Sequence, residues 1–266
     1  MFEAYLQHWG LIVDGAPLIT HSSHLLPVRY NGSAAMLKVA LHAEEQRGAR
    51  VMCWWDGQGA APVLGHYDKG LLLERAPAAR SLDSYIEEGR DSEATTLLCN
   101  AIAALHAPRD NPLPELLDLG TWFSDLWPAA NAHGGLYQHS ADAARTLLTA
   151  PQECCVLHGD IHHGNILDFA DRGWLAIDPK GLYGERGFDY ANLFCNPDAD
   201  IATDPHHFEQ RLQTVCAHSG LARERLLLWI LAWCGLSAAW FREDDMLEAA
   251  NTPLSVGALA LAALGN

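Results

Sequence analysis

The chain has 266 residues, 49% of them hydrophobic, with nine tryptophans and a formal net charge of −16. That length supports a sizeable core shared by two lobes around one cleft, and the acidic balance argues against nonspecific nucleic-acid binding, which works by neutralising phosphates with Lys and Arg. The start, Met1-Phe2-Glu3-Ala4-Tyr5, lacks the basic head and apolar core of a signal peptide, and the seven cysteines include no Cys-x-x-Cys, so reduced thiols and a cytoplasmic setting are expected.

In chain order, the segment from Asp14 to Lys38 is predicted to hold a hairpin whose tip is Thr20-His21-Ser22-Ser23-His24. Ser22 and Ser23 offer hydroxyl and backbone N–H donors to an anion, although Ser/Thr-rich turns are mostly structural. Ala35-Met36-Leu37-Lys38-Val39-Ala40 comes next as an apolar strand. Of the three lysines, Lys69 and Lys180 flank glycines in turn-like segments, and only Lys38 sits in such a run. It needs a carboxylate partner there, because desolvation disfavours an ammonium; the alternative is a lysine snorkelling from an edge strand. Glu44 and Glu45 open a helix expected over 43–55, and Glu45 is the preferred partner. Gly70 to Pro77 reads as a strand reaching a hinge, where main-chain groups at Glu74 and Ala76 can read a base; an ordinary strand ending in a Pro-containing turn fits equally well.

The small lobe is placed at residues 1–76 and the large lobe at 77–266. Ser81-Leu82-Asp83 reads as a helix start. Helices are expected over 94–106, ended by Ala107-Pro108, and over 121–130, 140–148, 205–218, 222–242 and 253–264. The most membrane-like run, Leu226 to Trp240, is interrupted by Cys234, Gly235 and Ser237 and is short for a span, so it is expected as a buried helix rather than a membrane contact.

The most informative stretch is His158-Gly159-Asp160-Ile161-His162-His163-Gly164-Asn165, with Ile177-Asp178-Pro179 after it. In phosphoryl transfer by kinases, an Asp accepts the acceptor hydroxyl's proton, an Asn five residues on holds one magnesium, and a second Asp beyond a short hairpin holds the other. Asp160, Asn165 and Asp178 fit those places. Ile166 to Phe169 and Trp174 to Ile177 alternate like two short strands around the turn Asp171-Arg172-Gly173, which returns Asp178 to the side of Asn165. Two oxygen ligands so placed suit Mg²⁺, which keeps several waters or phosphate oxygens, and Lys38 supplies the cation on the nucleotide phosphates. Three histidines beside Asp160 also admit zinc, but their spacing matches no zinc motif and leaves Asn165, Asp178 and Lys38 unexplained.

With these residues in hand, the chain resembles the aminoglycoside phosphotransferase family, most closely the bacterial streptomycin 6-phosphotransferases grouped with hydroxyurea-resistance kinases. The likeness includes Met36 to Ala40, Trp54 to Ala61, Leu105 to Arg109, Leu157 to Asn192 and Gly235 to Phe241, nearly the whole chain. The resemblance implies an α+β, protein-kinase-like bilobal fold with a small β-rich N-lobe and a larger, mainly helical C-lobe. It implies an ATP-dependent kinase using Mg²⁺, with Asp160 as base, Asn165 and Asp178 as metal ligands, and Asp189 bracing the catalytic loop. His158 is expected to pack and hydrogen-bond rather than act as a base. Asp178-Pro179-Lys180 departs from the Asp-Phe-Gly of protein kinases, and no Ala-Pro-Glu comes after it, so a protein substrate is not expected.

An acidic cleft favours a cationic small molecule, since carboxylates bind guanidinium groups bidentately. Candidate contacts are Glu185, Asp198, Asp200, Glu243, Asp244, Asp245 and Glu248. The expected reaction moves the γ-phosphoryl group of ATP to a hydroxyl of an aminoglycoside, streptomycin first. Hydroxyurea or a metabolite alcohol is the second reading, and a nucleotide-binding protein without turnover the third.

Overall fold

The computed structural model describes residues 1–77 and 80–265. The small lobe comprises α1 (Glu3–Trp9), β1 (Ile12–Val13), β2 (Leu18–Ile19), β3 (Ser23–Tyr30), β4 (Ser33–Ala40), α2 (Ala43–Trp55), β5 (Val63–Tyr67) and β6 (Gly70–Glu74). Its antiparallel sheet runs β1-β3-β4-β6-β5, with β2 also paired to β3. The period-two alternation of β4 decides what faces the cleft. Ala35, Leu37 and Val39 are buried, in a core that includes Val28, Leu72 and Tyr5 of α1, while the alternate residues Met36 and Lys38 line the cleft on the other face.

The large lobe begins with α3 (Leu82–Glu87), α4 (Asp91–His106), β7 (Leu117–Asp118), α5 (Leu119–Trp122), α6 (Leu126–His133) and α7 (Gly135–Thr149). Then come β8 (Cys154–Leu157), β9 (Ile166–Asp168), β10 (Trp174–Ala176), β11 (Leu182–Glu185), α8 (Ala199–Ala202), α9 (Pro205–Ser219), α10 (Arg223–Glu243) and α11 (Asn251–Leu264). The structure is therefore the bilobal, protein-kinase-like arrangement, a β-rich small lobe on a mainly helical large one. The lobes are also tied through main chain: Ala61 donates to Ala176 O and Ala176 to Gly59 O, each at 2.9 Å.

Helix α10 is long and apolar enough to cross a membrane by length and composition, yet 72% of its most apolar stretch is buried, so it is the axis of the large lobe. It packs against α7 so closely that a Cβ at Gly235 would lie 2.2 Å from Ser140 Cβ. The helix expected over 121–130 is instead two, α5 and α6, separated by a turn at 123–125. Pro128 explains the break, because a proline inside a continuous helix would clash with the carbonyl of Ser124 and lacks the N–H to bond it; in the first turn of α6 it is tolerated. Ser81 caps α3 by accepting from Ser84 N at 3.2 Å, as its position before Leu82 anticipates.

Candidate active site

Strand β8 delivers the chain to His158, and Asp189 fixes the start of the catalytic loop beyond it. The buried Asp189 carboxylate accepts from His158 N (2.9 Å) and Gly159 N (2.8 Å) and meets His106 Nε2 at 2.8 Å. Burial would raise its pKa, but His106, His158 and the Gly159 amide together hold it below the usual carboxylate range. The fully buried His158 ring is pulled down in pKa by desolvation and is neutral. Its Nε2 donates to Ile177 O at 2.7 Å and its Nδ1 accepts from Asp160 N at 3.2 Å, a tautomer assigned from these partners. His158 thus ties the catalytic loop to the end of the β9–β10 hairpin, whose register pairs Trp174 with Asp168 and Ala176 with Ile166.

The Asp160 carboxylate is held at three points. Asn192 Nδ2 donates to Oδ1 at 2.8 Å, Asn165 Nδ2 lies 3.4 Å from Oδ2, and Lys180 Nζ lies 3.6 Å from Oδ2. Asn165 Nδ2 also donates to Asp160 O at 2.9 Å, which turns its amide nitrogen toward the loop. Asp178 carries φ +64, a left-handed conformation that is strained for a residue with a Cβ. Its carboxylate pairs with Lys38, which also pairs with Glu45, so the helix, the strand and the hairpin end meet in one ion-paired chain. Burial would raise the Asp178 pKa; Lys38 and Lys180 lower it below the ordinary value.

The segment after Asp178 is clamped. Lys180 N donates to His158 O at 2.7 Å, Arg47 Nε donates to Lys180 O at 3.1 Å, and α2 passes so near that a Cβ at Gly48 would lie 2.1 Å from Pro179 O. Lys180, read from the sequence only as part of a turn-like segment, stands beside Asp160, and Glu44 Oε1 lies 3.3 Å from its ammonium. Burial pulls the Lys180 pKa down, but Asp160, Asp178, Glu44 and Glu45 outweigh it and push it up, so the side chain is charged.

Two cavities meet at this centre. One, of about 830 Å³, lies under the small-lobe sheet and is lined by Ser22, Ser23, Lys38, Glu74, Ala76 and Asp178. Ser23 N already donates to Thr20 Oγ1 at 3.0 Å, and the Glu74 carboxylate turns to Arg172 at 3.2 Å. The other, of about 630 Å³, opens on Asp160 and Lys180 and is walled by Trp122, Trp233, Trp240 and Phe241. Trp122 and Trp240 meet edge to face at 5.3 Å, and Trp240 Nε1 is fixed by Asp125 Oδ2 at 2.9 Å.

Of the carboxylates expected to contact a substrate, Asp198 lines this second cavity while capping α8 through Ile201 N at 3.0 Å. Glu185 is a correction: it is buried at the end of β11 and consumed by Arg225 Nε (2.6 Å), Trp229 Nε1 (2.8 Å) and Gln152 N (2.9 Å). Glu243 and Asp244 are also corrections, together with Asp200, Asp245 and Glu248. They are exposed and lie outside the cavity lining, because α10 presents Trp240 and Phe241 to the cavity and its charged end to solvent. The three loop histidines diverge: His162 lines the second cavity, whereas His163 is buried, with its pKa driven down to about 3 by desolvation. Sequence reasoning missed Asn192, Lys180, Glu44 and the aromatic wall. Lys180 and Asn192 stand within recognisable runs, but nothing in the spacing marks four aromatics drawn from α5 and α10.

The profile of the aminoglycoside/hydroxyurea antibiotic resistance kinases matches residues 8–245. A streptomycin 3''-kinase of Klebsiella pneumoniae is 49% identical over 262 residues, which are 97% of this chain and 98% of that one. A streptomycin 6-kinase of Streptomyces glaucescens is 32% identical over 96% of this chain and 86% of its own. Among solved structures, a thermostable mutant of the aminoglycoside phosphotransferase APH(4)-Ia, in ternary complex with ADP and hygromycin B, matches with a TM-score of 0.67 at 13% identity over 99% of each chain, a likeness of fold.

Proposed function

The chain belongs to the aminoglycoside/hydroxyurea antibiotic resistance kinase family, and we propose that it transfers the γ-phosphoryl group of ATP to a hydroxyl of streptomycin, the 3''-hydroxyl first. The observation that carries this reading is the place of Asp160, which lines the aromatic-walled cavity beside Lys180 and Asn165, while Lys38 and Asp178, the latter two residues before Lys180, line the other cavity. The 49% identity to a streptomycin 3''-kinase against 32% to a 6-kinase favours the 3''-position over the 6-position.

In this reading ATP occupies the cavity under the sheet, its base against the main chain at Glu74 and Ala76 and its phosphates toward Lys38 and Ser22. Glu45 holds the Lys38 ammonium in place, at 11% exposure. The donor set fits Mg²⁺: the amide oxygen of Asn165 and the carboxylate of Asp178 are hard oxygen ligands, few in number. Bound there, the ion would neutralise phosphate charge and orient the transferred group. Asp160, its oxygens steered by Asn192 and Asn165, accepts the hydroxyl proton of the acceptor. The aromatic wall and Asp198 receive the cationic body of the substrate, since guanidinium planes stack on aromatic faces and pair with carboxylates. Little covalent chemistry is asked of the protein beyond positioning and charge.

The test is ADP release from the purified protein with Mg-ATP across streptomycin, other aminoglycosides, hydroxyurea and simple alcohols, with the phosphorylated carbon located by NMR. Streptomycin-dependent release with phosphate on the 3''-oxygen is expected. A product phosphorylated at the 6-oxygen would overturn the position, and turnover driven by hydroxyurea alone would overturn the acceptor.

A further inference from the structure

The two adjacent glutamates at the start of α2 each hold a lysine, on opposite sides of the catalytic loop. Glu45 holds Lys38, which continues to Asp178; Glu44 holds Lys180, which continues to Asp160. The first chain lines the cavity under the sheet and the second lines the aromatic-walled cavity. Lys180 is not a loose surface cation. Its side chain is 20% exposed, and its main chain is pinned on both sides, by His158 O and by Arg47. Glu44 and Asp160 already balance this charge, and with its backbone fixed its ammonium is preorganised in the cavity lining beside Asp160, 3.6 Å from Oδ2.

We propose that Lys180 is a second catalytic cation, which contacts the transferred phosphoryl group from the acceptor side, with Glu44 as its positioning residue. The proposal rests on the kinase reading of the cleft. In the step, the acceptor oxygen forms a bond to Pγ as its proton passes to Asp160. The bond from Pγ to the bridging oxygen breaks, and its electron pair leaves with ADP. The three non-bridging oxygens of the moving group carry negative charge throughout. Lys38 faces the phosphates that stay with ADP. Lys180 stands where the moving group arrives and can swing from Asp160 Oδ2 to one of those oxygens with little displacement. Such contact is strongest while the group lies between donor and acceptor, so it should act on turnover rather than on binding of either substrate.

The experiment compares wild type with Lys180→Gln, Lys180→Arg and Glu44→Gln in two assays. One measures kcat and both KM values for streptomycin phosphorylation. The other measures equilibrium affinity for Mg-ADP alone and with aluminium fluoride, a mimic of the moving phosphoryl group, with no acceptor present. Lys180→Gln is expected to lower kcat about 100-fold with both KM values within about threefold, as for loss of one preorganised donor to a transition state. The preference for ADP with aluminium fluoride over ADP should fall by a similar factor, and Lys180→Arg should restore part of both. An unchanged preference, or a loss confined to the KM of either substrate, would overturn the proposal. Should Lys180→Gln not fold, Glu44→Gln, at a 38% exposed side chain, carries the test: a reduced preference supports the contact and an unaltered one overturns it. Because the fluoroaluminate assay uses no acceptor, a wild type that binds the mimic but phosphorylates no aminoglycoside would refute the substrate and still report on Lys180.

Discussion

The nucleotide side and the acceptor side of the cleft share a design and differ in material. Both carry a Glu–Lys–Asp chain that starts on α2, but the lysine of the first is set in β-sheet, whereas that of the second lies in a loop facing a cavity walled largely by helices. Lys38 is fixed by pairing of β4 with β3 and β6, opposite Leu25 and Leu71. The acceptor wall depends on packing between α5, α10 and the segment from Asn192 to Asp198, which are distant in sequence. A sheet register is a local constraint that leaves little freedom to a side chain. A helical wall can change its lining residues while the axes stay in place, so one side suits an invariant ligand and the other a variable one.

If this division of labour holds, changes on the two sides should separate in kinetics. Lys38→Met should lower kcat/KM for ATP about 1,000-fold, because it leaves the buried Glu45 without its partner and removes the phosphate cation, while streptomycin affinity measured calorimetrically stays within about threefold. A parallel loss of streptomycin affinity would break the separation. Next in size is a change behind the acceptor wall. Arg211, 1% exposed, pairs with Asp91 at 2.7 Å and donates to Leu193 O at 3.0 Å, tying α9, α4 and the segment leading to Asn196. Arg211→Met leaves the buried Asp91 carboxylate with His207 alone, at 3.3 Å, and should cost about 3–5 kcal/mol in urea unfolding; a loss below about 1 kcal/mol would show that the wall does not lean on this pair. Trp240→Ala should raise the streptomycin KM about tenfold and leave the ATP KM unchanged, since it removes an aromatic face from one cavity only.

A smaller effect concerns acid. Burial works against ionised Asp91, but its bonds to Arg211 and His207 win, and Asp189 is likewise held low. A carboxylate whose folded pKa lies below its unfolded value contributes stability that is complete above about 4 and is lost as pH falls through the folded value. His158 and His163, which burial keeps neutral, oppose protonation in the fold, so the melting temperature should begin to fall as pH drops below about 6.5 and fall further below about 4, the second part being shallower in Asp91→Asn. An unaltered slope in that variant would remove Asp91 from the account.

Legibility in the sequence divides along the same line. The catalytic loop, the hairpin and the Lys38 strand are short-range constructions, so spacing and alternation locate them, and helix α2 spans Ala43 to Trp55 as its pattern implies. Glu45 is preferred over Glu44 on the sequence, and the structure brings it to Lys38. The acidic residues expected at the substrate are picked out by charge and chain position, and charge alone does not tell a cavity wall from a helix end or a buried pair. Glu185 fails because Arg225, forty residues away, claims it. Glu243 and Asp244 fail because the last turn of α10 turns its apolar side inward. Lys180 escapes notice because neighbouring glycines suggest a turn, whereas the clamp by Arg47 and His158 is visible only when α2 is folded over it.

The central claim is that Asp160 takes the acceptor's proton at a site that binds ATP without it. The most direct measurement is streptomycin-dependent ADP release by Asp160→Ala, set beside its affinity for Mg-ATP by calorimetry. A loss of turnover of about 1,000-fold or more, with ATP affinity within about threefold of wild type, is the predicted result. Turnover near the wild-type rate would contradict the account, and so would a loss explained wholly by failure to bind ATP.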